Sequence, residues 1–183
     1  MMRRFKDDYE IVSTVDERGR EKREAVYRGV YYEVSLDEGG LRRLRRLSAL
    51  LVAVIIVLHL FAGFLNNRGM YQFYIALPYV FAFFPLYSQF VGILRLPKAV
   101  RPYRRDEVAL SIDQIKTASK FLLIFLGVGT LGEAVYLLFF AAADQQRFEL
   151  LFFMLEIVAT TASFFLYRVQ QPVDSWPIEE PQE

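Results

Sequence analysis

Three ionisable side chains lie inside otherwise apolar stretches of the sequence: His59, Glu133 and Glu156. An imidazole and two carboxylates can relay protons, and together they can also bind a divalent cation such as Zn²⁺. Two adjacent carboxylates in a low-dielectric environment would share one proton, because both cannot ionise cheaply there. The simpler alternative is that each side chain hydrogen-bonds across helices and only fixes their packing.

The order of charges along the chain shows which elements carry these three residues. No Asp, Glu, Lys or Arg lies between Arg46 and Arg68, and none lies between Arg68 and Arg95. A helix needs about 20 apolar residues to cross the hydrocarbon core, whereas the strands of a membrane barrel alternate in polarity. The sequence therefore predicts an all-α membrane protein, a bundle of four transmembrane helices at about 46–66, 71–94, 119–141 and 149–168.

These spans predict that the three ionisable residues lie at one level of the membrane. Glu133 and Glu156 are equally far in sequence from an outer turn near Asp144, and His59 is similarly far from the outer turn of its own hairpin. With a rise of about 1.5 Å per residue, all three would lie roughly 10–15 Å inside the outer boundary. We expect that they could converge in a compact bundle.

Basic residues are concentrated on one side of the predicted spans. The positive-inside rule then places both termini and the long central loop in the cytoplasm, with the chain in the cell membrane. Basic side chains at this surface are expected to bind anionic lipid headgroups, at about 1 kcal/mol each. Nucleic-acid binding is not indicated, because the charges adjoin the membrane and no recognition motif accompanies them. The basic residues in question are Arg42, Arg43, Arg45, Arg46, Arg101, Arg104 and Arg105.

An internal repeat suggests that the bundle consists of two tandem hairpin units. The segment at 27–38 and the segment at 103–114 share Tyr-Arg, then five residues, an apolar residue and Ser-[Leu/Ile]-Asp-[Glu/Gln]. Ser followed three residues later by Glu or Gln is a capping box, which predicts helix starts at Ser35 and Ser111. Two copies with the same orientation would be related by an axis along the membrane normal.

The polar segments outside the spans predict a small cytoplasmic β element. Strands are expected at 10–15 and within 23–34, joined by a turn at 16–20, and a strand near 103–110 could pair with this hairpin. The resulting organisation is a β-hairpin segment at 1–40, transmembrane hairpins at 41–95 and 119–169, a basic loop with strand and helix cap at 96–118, and an acidic disordered tail at 170–183.

Three glycines, Gly127, Gly129 and Gly132, precede Glu133 within the third span. They are not a phosphate-binding loop, because no strand precedes them and no Lys follows. Small residues inside a membrane helix let a neighbouring helix approach closely, so we expect Gly129 and Gly132 to serve helix packing.

The motifs that indicate an enzyme are missing from the sequence. A single histidine excludes the His-Glu-x-x-His pattern, and no Gly-x-Ser-x-Gly elbow occurs. No cofactor is predicted. We expect a non-catalytic accessory or interaction subunit of a membrane system, working with a membrane protein partner or as a homo-oligomer. The alternative is a small proton- or cation-coupled transporter in which His59, Glu133 and Glu156 face one polar cavity; a membrane-embedded enzyme ranks last.

Overall fold

Four long helices dominate the computed structural model, which describes residues 2–15, 21–141 and 146–178. The helices are α1 (Glu38–Gly63), α2 (Phe73–Arg95), the short α3 (Arg105–Ala109), α4 (Ile112–Phe139) and α5 (Gln146–Gln170). By length and composition α1, α2, α4 and α5 could each cross a membrane. The prediction of four long apolar helices is therefore confirmed.

The outward faces of these four helices are covered by large apolar side chains. A soluble monomer rarely exposes contiguous apolar surface of this extent, because water disfavours it, whereas lipid hydrocarbon covers it without cost. We call this surface the apolar belt. Its exposed members include Leu50, Val57, Phe61, Leu77, Phe84, Tyr87, Phe121, Leu131, Leu138, Met154 and Phe165.

Inside the belt, α1 packs mainly on α5, α2 packs mainly on α4, and α4 packs on α5. The main core runs along the bundle and includes Val52, Ile55, Leu122, Leu126 and Leu166. A smaller cluster of Ala62, Ile75, Tyr136 and Phe152 lies where α1 and α4 end. We call this the far end of the bundle, and the opposite end, where the strands lie, the sheet end.

The described residues include five strands, which form two separate sheets at the sheet end. In the first, β1 (Tyr9–Val15) pairs antiparallel with β2 (Glu21–Tyr27), with Ile11 opposite Ala25. The predicted strands of the N-terminal hairpin are thus present, and the predicted turn at 16–20 lies outside the described residues. In the second sheet, β3 (Tyr31–Val34) lies between β4 (Tyr103–Arg104) and β5 (Ser175–Ile178) and is antiparallel to both.

The tail differs from the sequence prediction, because β5 belongs to the segment expected to be disordered. Two bonds lead the chain into β5: the Lys116 ammonium donates to the Val173 carbonyl at 2.7 Å, and the Asp174 N–H donates to Ser35 Oγ at 3.0 Å. The disorder prediction rested on the composition of the tail alone. Strand β5 forms because its backbone pairs with the free edge of β3, which lies about 140 residues away in the chain. Residues 179–183 lie outside the described part.

The repeated segments match their predicted form in part. The strand expected over 103–110 is only two residues long and runs into α3. It pairs with β3, which lies within the predicted 23–34 region, so the expected pairing with the N-terminal β segment is present, while β1 and β2 form a separate sheet. Asp37 caps α1 by accepting from the Gly40 N–H at 2.8 Å, while Ser35 instead bonds to Asp174. Ser111 precedes α4, but its hydroxyl donates to the Glu107 carbonyl and does not accept a hydrogen bond from the first N–H groups of the helix.

Candidate functional site

Two of the three ionisable residues meet in the bundle. His59 Nδ1 on α1 lies 2.9 Å from Glu156 Oε1 on α5, and both side chains are almost fully buried. They meet because α1 and α5 are packed neighbours, each with a polar residue at the contact. In this buried environment of low dielectric constant the contact is strong while it is intact. Removal of one partner is costly, because it leaves the other buried and unpaired.

Tyr79 on α2 fixes the orientation of the imidazole. His59 Nε2 lies 3.1 Å from the Tyr79 carbonyl oxygen, which can only accept, so Nε2 carries a hydrogen. The Tyr79 hydroxyl donates to the His59 carbonyl at 2.7 Å, and the two rings stack with centroids 4.0 Å apart. Gly63 leaves the space for this hydroxyl, because a Cβ there would collide with it. Both ring nitrogens of His59 are therefore engaged.

Glu133, the third predicted residue, belongs to a neighbouring cluster at the far end. Its Oε2 lies 2.5 Å from the point where a Cβ would stand on Gly69, and Asn67 Oδ1 and Glu149 Oε2 lie 2.9 and 3.2 Å from that point. Glu149 accepts from the backbone N–H groups of Arg68 and Gly69, at 2.8 and 3.4 Å. We call Asn67, Gly69, Glu133 and Glu149 the far-end cluster.

Sequence reasoning missed Asn67 and Glu149. Glu149 was overlooked because it stands at the border of the fourth apolar run, where a charge is ordinary. The signal was its spacing: Glu149, Phe152, Glu156 and Ala159 follow each other by three and four residues, which places them on one helix face, and all four are buried. Asn67 carried no comparable signal, because an Asn in a short connection is most often a turn residue.

Four cavities between the described residues lie away from both groups of polar residues. They have volumes of about 190 to 550 Å³, and His59, Glu133 and Glu156 line none of these four. Within the described ranges, no three His, Cys, Asp or Glu side chains are grouped closely enough to hold a metal by themselves.

A second buried polar network lies nearer the sheet end. Gln89 on α2 and Gln170 on α5 exchange hydrogen bonds between their amides, at 3.0 and 3.1 Å. Gln89 also donates to the Ile115 carbonyl on α4, and Gln170 donates to Ser48 Oγ on α1. Each amide thus joins its partner and one further helix, which fits a packing role better than a chemical one.

The glycines of α4 differ in what they face. A Cβ on Gly132 would lie 3.1 Å from the Tyr74 carbonyl oxygen, while one on Gly129 would make only an ordinary contact with Pro78, at 3.7 Å. Pro78 lacks the N–H that would bond the Tyr74 carbonyl in a regular helix, so this oxygen is free to face α4. Of these two glycines, Gly132 is therefore the one at which α2 comes close to α4.

Several of the predicted membrane-surface arginines form contacts within the chain. Arg42 pairs with Glu38 at 3.2 Å, Arg101 with Glu107 at 2.6 Å and Arg105 with Asp8 at 3.9 Å. The Arg104 guanidinium lies over the Tyr27 ring, 5.6 Å from its centroid. The remaining members, Arg43, Arg45 and Arg46, lie in the first turns of α1 and are exposed or half-buried.

The β1–β2 hairpin and α3 enclose an apolar cavity of about 520 Å³ at the sheet end, and we call it the hairpin cavity. The Tyr9 hydroxyl donates to Asp106 at 3.1 Å and ties the hairpin to α3. Burial raises the pKa of the Tyr9 phenol, so this hydroxyl stays a neutral donor. Ile11 is 70% exposed at the wall of the cavity. The other lining residues are Phe5, Lys6, Ala25 and Leu110.

Comparison with known proteins gives no functional lead: no protein-family model, no curated protein and no solved structure matches this chain. Any functional conclusion therefore rests on the chemistry of these sites.

Proposed function

We propose that this chain is a non-catalytic accessory subunit that assembles with another membrane protein. The observation that supports this proposal is the hairpin cavity, an apolar concavity outside the apolar belt and therefore not covered by lipid tails. Apolar surface of this kind at a polar end of a molecule is typical of a protein contact site. The expected partner presents an apolar segment with at most one charge, because Lys6 and Asp106 are the only charged residues among the described residues that line the cavity.

The proposed orientation places the sheet end in the cytoplasm of a cell-membrane protein. The sheet end carries the arginines in the first turns of α1 and those of the α2–α4 connection, whereas Arg68 and Arg147 are the basic residues at the far-end turns. The positive-inside rule relates such an asymmetry to a cytoplasmic sheet end. Exposed arginines such as Arg43 and Arg46 would then lie near anionic lipid headgroups.

We also propose that the two hairpins arose by tandem duplication. A two-fold axis along the bundle would exchange α1 with α4 and α2 with α5, and it would therefore exchange the α1–α5 contact with the α2–α4 contact. The glutamine network follows the same rule, since Gln170 reaches α1 and Gln89 reaches α4. Strands β3 and β4, which precede the two halves, pair with each other.

Co-purification tests the accessory role. The full chain would be isolated from its native membranes in mild detergent and examined by native mass spectrometry. We expect a stoichiometric second protein that is lost with Ile11→Asp, which places a charge on the cavity wall. Val26→Asp is the matched control, because Val26 is also exposed on the hairpin but lies on its opposite face. A chain that is found alone, or a partner retained by Ile11→Asp, would overturn the proposal.

A small proton- or cation-coupled transporter is the second candidate. The observation that favours it is the burial of four ionisable side chains, His59, Glu133, Glu149 and Glu156, in the far-end half of the bundle. Transport by this group would require that Glu133→Gln together with Glu156→Gln abolish uptake while the protein still assembles. Uptake that persists in the double variant would exclude this role for the two carboxylates.

A further inference from the structure

The far-end cluster contains two carboxylates that lack a compensating positive charge. Among the described residues, no Lys, Arg or His forms an ion pair with Glu133 or Glu149. Glu149 is satisfied in part by two backbone N–H groups. His59 cannot compensate either carboxylate, because its two ring nitrogens bond to Glu156 and Tyr79.

Independent evidence for a ligand comes from polar atoms without a partner. Glu133 is fully buried, and in the described part of the chain neither of its carboxylate oxygens has a hydrogen-bond partner. Asn67 is 3% exposed, and its Nδ2 is likewise unpartnered there. Buried polar atoms are nearly always satisfied by protein, water or an ion, so the oxygens of Glu133 require a further partner, and the adjacent Glu149 carboxylate favours one with positive charge.

We propose that Glu133, Glu149 and Asn67 form a binding site for one hard divalent cation. The donor atoms on offer are carboxylate and amide oxygens, which Ca²⁺, Mg²⁺ and Mn²⁺ prefer and which soft metals do not. Two carboxylates balance a charge of +2, so a divalent ion leaves the buried site neutral. The absence of three grouped acidic or histidine ligands in the described ranges does not conflict with this donor set, since one of its oxygens is an amide.

The site would clamp the α1–α2 connection to the second hairpin. Asn67 and Gly69 lie in that connection, Glu133 lies on α4 and Glu149 lies in the first turn of α5. A cation held by all three segments restrains the far end of the bundle. This inference is independent of the accessory role, because the clamp would act on the fold whether or not a partner binds at the sheet end.

Gly69 provides a test that keeps every ligand. Its missing Cβ is the point around which the three oxygens converge, so Gly69→Ala inserts a methyl group among them and leaves both carboxylates in place. Gly127→Ala is the matched control, because a Cβ there would meet nothing within 4 Å. Glu156→Gln is a second control, since it removes a nearby buried carboxylate that is bonded to His59.

The measurement is metal binding by the purified full chain after treatment with EDTA. Manganese binding would be followed by electron paramagnetic resonance, and calcium binding by elemental analysis after dialysis. We expect one ion per wild-type chain, retained by Gly127→Ala and Glu156→Gln and weakened at least about tenfold by Gly69→Ala and by Glu133→Gln. Wild-type protein that binds neither ion would overturn the proposal and leave a carboxyl pair that shares a proton. Binding unchanged by Gly69→Ala and Glu133→Gln would show an adventitious ion only.

Discussion

At the residue scale, the contact between His59 and Glu156 is the clearest case of two side chains that depend on each other. Each is buried in a place that offers few other partners, so removal of one leaves the other unsatisfied. We expect His59→Leu and Glu156→Leu each to lower the free energy of unfolding by about 1–3 kcal/mol. Reversible unfolding in mixed detergent micelles measures this loss.

The double variant separates a coupled pair from two independent contacts. His59→Leu with Glu156→Leu replaces both groups by apolar ones, so its loss of unfolding free energy should be clearly smaller than the sum of the single losses. Losses that simply add would mean that the two side chains stabilise the bundle separately, and the 2.9 Å contact would then carry little energy.

The sequence indicated which residues of this site to examine, but not how they are partnered. His59, Glu133 and Glu156 were identified because a polar group in an apolar run is energetically costly and seldom accidental. Their grouping depends on how each helix is rotated about its axis, which hydropathy does not encode. Glu133 lies beside Gly69 and Glu149 at the far end, while His59 and Glu156 bond to each other.

At the element scale, the close approach of α2 and α4 depends on Gly132. A methyl group there would stand 3.1 Å from the Tyr74 carbonyl and 3.2 Å from the Ile75 side chain, so the helices must separate slightly. We expect Gly132→Ala to lower the free energy of unfolding by about 1–3 kcal/mol through overpacking. Gly127→Ala should be neutral or stabilising by up to about 1 kcal/mol, because alanine is the better helix former.

The same unfolding measurement in mixed micelles compares these two glycines. The difference in unfolding free energy between Gly132→Ala and Gly127→Ala isolates the contact at Gly132, because both variants share the general effect of alanine in a membrane helix. Equal effects of Gly132→Ala and Gly127→Ala would contradict the account of close packing at the freed Tyr74 carbonyl.

The strand β5 can be followed directly, because Trp176 is the single tryptophan of the chain. Hydrogen-bonded pairs alternate along an antiparallel ladder, and the Ser35 N–H donates to the Asp174 carbonyl, so Glu33 and Trp176 form the next bonded pair. A proline at 33 would remove the N–H that β3 offers to β5. We expect Glu33→Pro to release β5, so that iodide quenches Trp176 fluorescence more strongly than in the wild type. Glu38→Pro at the first position of α1, where proline is tolerated, serves as the control.

Quenching that Glu33→Pro leaves unchanged would show that Trp176 is not held by β3. The strand itself illustrates what local sequence signals miss. The positions of the helices follow from runs of apolar residues, and their ends at the far end of the bundle were predicted to within a few residues. Strand β5 instead depends on an edge supplied by β3 from the other end of the chain, and its prolines and acidic residues gave the opposite indication.

At the scale of the whole molecule, the four long apolar helices were predictable because segments that cross a bilayer obey a simple rule. Backbone groups in hydrocarbon must be paired within the segment, so long uncharged runs become helices almost regardless of detail. The arrangement of those helices was not predictable in the same way. Packing of α1 on α5 and of α2 on α4 depends on small contacts, such as Gly132 at Tyr74 and Ser48 at Gln170.

The orientation of the molecule in the membrane is the property that the proposed function most depends on, because a partner for the hairpin cavity must be on the same side. The chain contains no cysteine, so single cysteines can report position without any background. Asn66 is exposed at the far end, and Val100 is exposed at the sheet end. A membrane-impermeant maleimide added to intact cells would distinguish the two ends.

We expect Asn66→Cys to be labelled in intact cells and Val100→Cys to be labelled only after the membrane is permeabilised. The physical reason is that the many arginines of the sheet end resist translocation, whereas the far-end turns carry only Arg68 and Arg147. The reverse pattern would place the hairpin cavity outside the cell and direct the search to extracellular partners. Labelling of both positions in intact cells would mean that the chain inserts in two orientations, and the charge asymmetry would then not determine its topology.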